Sequence, residues 1–563
     1  MDFSPSNTFV FWRNRGLTAL VIAIAALIMA PVLFVLGSIF APTRDVWDHL
    51  ASTVLTGYIT NSLWLILGVG CGVLVLGVST AWLVTMCRFP GGRMFEWLLI
   101  LPLAAPAYLL AYVYTELLEF YGPVQTWLRS IYGWQNVGDY WFPPIRSLPG
   151  AIAMLSFTLY PYVYLLARVA FLEQSTCTLE ASRSLGCSPW RSFSRVALPI
   201  ARPAIVAGLS LALMETLNDY GTVQYFSVDT FTVGIYRTWF GMGERDASMQ
   251  LAAILTMFAL WLILLELLSR RQSRYYQTSS PQQQLSSYHL HGFRAVAAIL
   301  ICLLPIAIGF LIPVGLLIHM TATSGIESID ESFWEIANNS LTLAAISAAA
   351  GVAIALLLAY GQRLYAHIVM RSAIRVAAIG YAIPGSVIAV GIMVPLGYLD
   401  NAIDAWMQAN FGISTGLILS GTIAALIFAY LVRFLAVSFN TVEAGLGKIE
   451  PHLDDASRSL GQGSIGTLLK IHVPLMWGSL LTAGMLIFVD VMKELPATII
   501  IRPFNFDTLA VRVYNYASDE RLVEASAPAL AIILVGMLPV MLLSWRIANS
   551  RRRDINLQKQ SLL

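Results

Sequence analysis

Charge is scarce in this sequence. Only 12% of its 563 residues are Asp, Glu, Lys or Arg, about half the share in an ordinary soluble domain. With 57% hydrophobic residues and a mean hydropathy of +0.70, that scarcity excludes an ordinary water-exposed globular chain. The net charge of +2 and the lack of a basic block give no nucleic-acid arm. The five cysteines (Cys71, Cys87, Cys177, Cys187, Cys302) have no CxxC spacing, so no disulfide framework is implied. The seven histidines are scattered, with His289 and His291 the one close pair, and no spacing supports a first-row metal site in the membrane. A Walker A sequence is missing too: Gly445-Leu446-Gly447-Lys448 lacks the following Ser or Thr and the GxxxxGK spacing. No nucleophile–base pair emerges, which argues against an enzyme.

What the chain has instead is long apolar runs. A bilayer core about 30 Å thick takes roughly 20 helical residues to cross, because every backbone N–H and C=O must be paired within the segment. Twelve such runs occur, near 17–39, 62–86, 95–117, 147–173, 202–226, 247–268, 294–320, 338–360, 374–398, 412–438, 477–501 and 522–545. The first is too long for a cleaved signal. The expectation is an all-α, polytopic protein of about twelve transmembrane helices. With the N-terminus cytoplasmic, the cytoplasmic segments hold 23 Lys and Arg against 8 on the other face, so both termini are expected in the cytoplasm.

The chain is also duplicated. Ala-Ser-Arg-Ser-Leu-Gly occurs at 181–186 and 456–461, each copy followed thirteen residues after its glycine by a proline, Pro199 or Pro474. Asn61-Ser62-Leu63 matches Asn339-Ser340-Leu341, Pro106 matches Pro384, and Asp229-Thr230 matches Asp507-Thr508, all at an offset of 278, whereas the repeated loop runs at 275. A Ser/Gln-rich stretch, 269–293, reads as a linker. The expected organisation is therefore a first six-helix half, 1–268, the cytoplasmic linker, and a second six-helix half, 294–563. An even number of spans per half makes the halves parallel.

Both repeated loops fall on the cytoplasmic side. Each reads as a short helix opened by an acid (Glu180, Asp455) favoured by the helix dipole, then a turn at glycine (Gly186, Gly461), then an amphipathic stretch ending at proline. The small residues Ala181, Ser182, Ala456 and Ser457 would let another protein approach closely. The competing reading is a loop that merely joins helices. The spacing resembles the EAA loop of ABC importer membrane subunits, with Asp455 and the two serines departing from its pattern. The resemblance implies a type I ABC importer permease fold in which the loops seat two copies of a nucleotide-binding ATPase subunit. ATP and Mg would be bound by that partner and no cofactor by this chain. A periplasmic substrate-binding protein and a bacterial cytoplasmic (inner) membrane location are further implications.

The helix after each loop carries ionisable groups: Glu215 and Asp219 in one half, Asp490, Lys493 and Glu494 in the other. Such groups cost about 2.5–3.5 kcal/mol at a helix centre, so they face protein or water. They either line a translocation pathway or form a structural ion pair, Lys493 with Asp490 or Glu494. Met492 to Thr498, Glu215 to Thr222, Leu101 to Tyr108 and Tyr381 to Ser386 look like the fused permeases of ferric-iron importers. Pro106, Pro384 and Pro496 are expected to break or kink their helices. Tyr112, Tyr114, Glu116 and Glu119 could receive a hard cation or serve as interfacial anchors. Permeases for thiamine, a polyamine or a phosphonate share the loops. A proton-coupled secondary transporter shares the helix count but leaves two EAA loops unexplained.

Overall fold

The computed structural model describes residues 5–40, 44–172, 184, 186, 188–271, 288–323, 328–364 and 368–561. Among them the fold is carried by α1 (Pro5–Gly37), α2 (Leu55–Met86), α3 (Ala107–Leu118), α4 (Leu148–Leu172), α5 (Leu198–Asn218) and α6 (Arg245–Arg271). There follow α7 (Phe293–Thr323), α8 (Glu331–Leu364), α9 (Gly385–Phe411), α10 (Ile423–Leu446), α11 (Trp477–Met492) and α12 (Leu522–Ser561). Ten helices are long and apolar enough to cross a membrane, and two bent pairs raise the number to twelve. The all-α, polytopic expectation holds.

The corrections to the spans have physical causes. The predicted third span bends by 90° between Gly92–Ala104 and Ala107–Tyr132. Pro106 forces the residue before it out of the helical region: Ala105 sits at φ −102°, ψ 117°. Pro384 does the same to Ile383, at φ −91°, ψ 128°, and each proline then stands at the N-cap of the next helix, α3 or α9. The eleventh span, expected over 477–501, ends as a helix at Met492, and a 79° bend separates it from the preceding Ser464–Leu475. The tenth begins only at Ile423.

The described chain forms two compact units. One comprises Met1–Thr43, Thr238–Thr256 and Glu331–Val511; the other comprises Arg44–Arg237, Met257–Asp330 and Arg512–Leu563. Each unit therefore takes its central helices from one sequence half and outer helices from the other. In the first unit α1 packs on α9; in the second α7 packs on α12.

The Asn-Ser-Leu and Asp-Thr repeats meet inside each unit, at the end away from the repeated loops. Ser62 Oγ accepts from Phe231 N at 3.3 Å, and Ser340 Oγ accepts from Leu509 N at 2.8 Å. Each serine satisfies an orphan donor at the start of a following short helix, Phe231–Tyr236 or Leu509–Ser518. Asp229 pairs with Arg237 at 2.7 Å; Asp507 pairs with Arg502.

Candidate functional site

The second repeated loop is resolved in detail. Its helix, Pro451–Ser459, is opened by Glu450 and Pro451, with Asp454 as the acid in its first turn. Asp455 thus does not open the helix as expected. It stands one turn in, exposed, 3.7 Å from Arg458. Ala456 is exposed, as an approach surface requires, but Ser457 is not. Ser457 is fully buried, its hydroxyl 2.7 Å from that of Thr467. It closes the loop on itself and offers nothing to an outside surface. Gly461 turns the chain at φ +76°, a left-handed conformation that costs an L side chain about 1–2 kcal/mol. Pro474 is exposed beside the bend at Met476.

Sequence reasoning missed the residues that hold this loop. Arg363, at the end of α8, pairs with Asp454 at 2.8 Å and donates to the carbonyls of Leu446 at 2.7 Å and Ile449 at 2.9 Å. One guanidinium thus ties the end of α8, the end of α10 and the loop helix together. His472, fully buried, brings Nε2 within 2.7 Å of Asp454 Oδ1. Tyr360, one turn before Arg363, donates to Ser464 O at 2.7 Å and meets the His472 ring edge-on. The adjacent pair Asp454-Asp455 was the available signal: neighbours on a helix point about 100° apart, so only one can face inward.

In the first loop Glu180, Ala181 and Ser182 lie outside the described residues. Gly186 turns at φ +80°, matching Gly461. Pro199 is exposed at the start of α5. Trp82 occupies the Tyr360 position at the 278 offset and packs on Phe193, ring centroids 4.7 Å apart, which Trp190 covers from outside. The helix from Trp190 to Asn218 meets no sharp bend.

The carboxylates separate into two groups. Asp219 and Glu494 follow the ends of α5 and α11, where each caps a short helix. Asp219 accepts from Thr222 Oγ1 at 2.9 Å and Val223 N at 3.1 Å. Glu494 accepts from Ala497 N at 3.0 Å, Thr498 N at 3.1 Å and Thr498 Oγ1 at 2.7 Å. Pro496 is the first residue of that helix, where its missing N–H costs nothing, so it starts a helix and does not kink one. Glu494 also pairs with Arg433 of α10 at 2.8 Å, both side chains nearly inaccessible. Of the two partners considered for Lys493, it meets Asp490, at 2.9 Å, both about one quarter exposed. Glu215 is likewise half-buried.

Gly385 explains itself here. A Cβ on it would collide with Arg433 Nη1 and lie 2.8 Å from Glu494 Oε1. At the corresponding positions of the first half stand Ala107 and Thr158: without the guanidinium, a methyl group fits.

Of the residues considered for a hard cation, Glu119 is taken by Arg146 at 2.5 Å and Tyr114 donates to Ile308 O at 2.8 Å. Among the described residues no group of three or more His, Cys, Asp and Glu could hold a metal ion.

Residues 73–278 match the family described as binding-protein-dependent transport system inner membrane component. Over 550 residues, 95% of this chain and 98% of the relative, the sequence is 25% identical to the Fe(3+)-transport system permease protein FbpB 2 of Haemophilus influenzae. It is 22% identical over 548 residues, 92% of this chain and 74% of the relative, to the ferric transport system permease protein FbpB of Actinobacillus pleuropneumoniae. A stretch of 158 residues, 27% of this chain and 52% of the relative, is 30% identical to the sulfate transport system permease protein CysT of Escherichia coli.

Proposed function

We propose that this chain is a binding-protein-dependent permease of the inner membrane, as the match over residues 73–278 supports, and that its cargo is ferric iron, delivered by a periplasmic binding protein and moved inward by ATP hydrolysed on two copies of a partner ATPase. The observation that carries the cargo is likeness over the full fused length to relatives named for ferric transport; the sulfate relative matches about a quarter of the chain. ATP and Mg belong to the partner, and this chain contributes no cofactor. Both termini and both repeated loops face the cytoplasm.

In this reading each loop is the seat of one ATPase. Glu180, Ala181 and Ser182 in one loop and Asp455 and Ala456 in the other meet its surface, with Ser457 shaping the loop from within. Gly186, Gly461, Pro199 and Pro474 set the turns that aim them. Displacing the arm Ser464–Leu475 swings α11, whose far end carries Asp490 and Lys493. Those two and Glu215, being half-buried, line the pathway, while Asp219 and Glu494 brace it by capping and Pro496 by starting the helix that Glu494 caps.

The test is uptake of radiolabelled ferric iron into proteoliposomes holding the chain with its ATPase and binding protein. ATP-dependent accumulation is expected, and sulfate or thiamine accumulation without iron would overturn the cargo. Accumulation driven by a proton gradient with no ATPase would overturn the class of transporter. Gly461→Val and Gly186→Val should each reduce co-purified ATPase several-fold, since the strain of about 1–2 kcal/mol falls on the docking turn. Normal co-purification in both would remove the loops from the interface.

A further inference from the structure

The residues that hold the second loop have no like residues at the matching positions of the first. In the second, the Asp454 carboxylate accepts from Arg363 at 2.9 Å, which also holds the last carbonyls at the α10 end, and the buried His472 ring lies beside it with Nε2 2.7 Å from Oδ1. At the offsets that relate the halves, Asp454 falls on Leu179, Arg363 on Thr85 and His472 on Ala197. All three members are replaced, and among the described residues after Gly186 the rings of Trp82, Phe193 and Trp190 pack on one another. The mechanical setting differs as well: the first loop's arm runs without a sharp bend into α5, whereas the second meets α11 at 79°. A bent arm transmits a push only if its outer part is fixed to something rigid. An apolar contact can slide; charge-assisted hydrogen bonds are directional and resist it.

We propose that Asp454 is a positioning residue for energy coupling: latched by Arg363, with His472 packed beside it, it makes the second loop helix move as one body with the ends of α8 and α10. The proposal rests on the loops being ATPase seats. Asp454 is partly buried, 19% exposed, and faces the chain's own helices, whereas its neighbour Asp455, 70% exposed, is left for the ATPase.

Two measurements on the assembled complex test this. Hydrogen exchange across Pro451–Ser459 should quicken about tenfold in Asp454→Asn, the loss of a charge-assisted contact, and return to within about twofold of wild type in Asp454→Glu, which keeps the charge. Ferric ions taken up per ATP hydrolysed should fall about tenfold in Asp454→Asn and recover in Asp454→Glu. Unchanged exchange in Asp454→Asn overturns the latch. Quickened exchange with an unchanged ratio overturns its part in coupling. If the wild-type complex takes up no iron, the cargo reading has failed, and the exchange measurement together with ATPase co-purification at raised salt still decides the latch. A mixed pattern in which Asp454→Glu behaves like Asp454→Asn also counts against it, because charge would then not be what matters.

Discussion

Removing Glu494 should damage the fold more than the pathway. Its carboxylate accepts from Arg433, from two backbone N–H groups and from the Thr498 hydroxyl, and its side chain is 1% exposed beside an arginine that is 6% exposed. Glu494→Gln keeps one carbonyl oxygen but turns an amide donor toward other donors and leaves Arg433 uncompensated. Breaking a buried pair from one side costs about 3–5 kcal/mol, chiefly through the stranded charge. The double replacement Arg433→Met, Glu494→Met removes that charge, so it should cost less than Glu494→Gln alone and leave mainly the lost cap, about 0.5–2 kcal/mol. Asp490→Asn, at a pair about one quarter exposed to solvent, should cost less than Glu494→Gln, about 1 kcal/mol. Denaturant titration of the purified protein in mixed micelles measures all three. The reasoning is refuted if Glu494→Gln matches wild-type stability within about 1 kcal/mol yet abolishes uptake, which would put Glu494 in the path of the cargo.

Two further predictions use the same assay. Gly385→Ala should destabilise by about 1–3 kcal/mol through overpacking against the Arg433–Glu494 pair, and the effect should largely vanish in the Arg433→Met, Glu494→Met background; persistence there would point to backbone strain instead. Ser340→Ala should cost about 1–3 kcal/mol by orphaning the buried Leu509 N–H. Ser62→Ala, at a 3.3 Å contact, should cost less, and the reverse order would mean that the two halves are not built alike at this end.

The duplication was legible because identical residues recur at fixed offsets, but what the repeated residues do was not. Asn-Ser-Leu and Asp-Thr are 168 or 169 residues apart within each half, a separation over which no local pattern reports contact. The spans were legible from apolar length alone, and their breaks in part from Pro106 and Pro384. The bend at Met476 was not legible in this way: Pro474 precedes it, but Pro199 stands at the matching place in a helix that runs on without a sharp bend.

The sequence by itself determined a membrane environment, twelve potential crossings, the two glycine turns and the resemblance to importer subunits, because hydropathy, proline and glycine act through the local backbone. Only the tertiary structure decided which acids serve which purpose. Asp454 and Asp455 are chemically identical neighbours, as Asp490 and Glu494 are near-equivalents one turn apart, and nothing local distinguishes them. What separates them is Arg363, His472 and Arg433, brought in from other helices, because the cost of burying a carboxylate is met only where a donor from elsewhere in the chain arrives to share it.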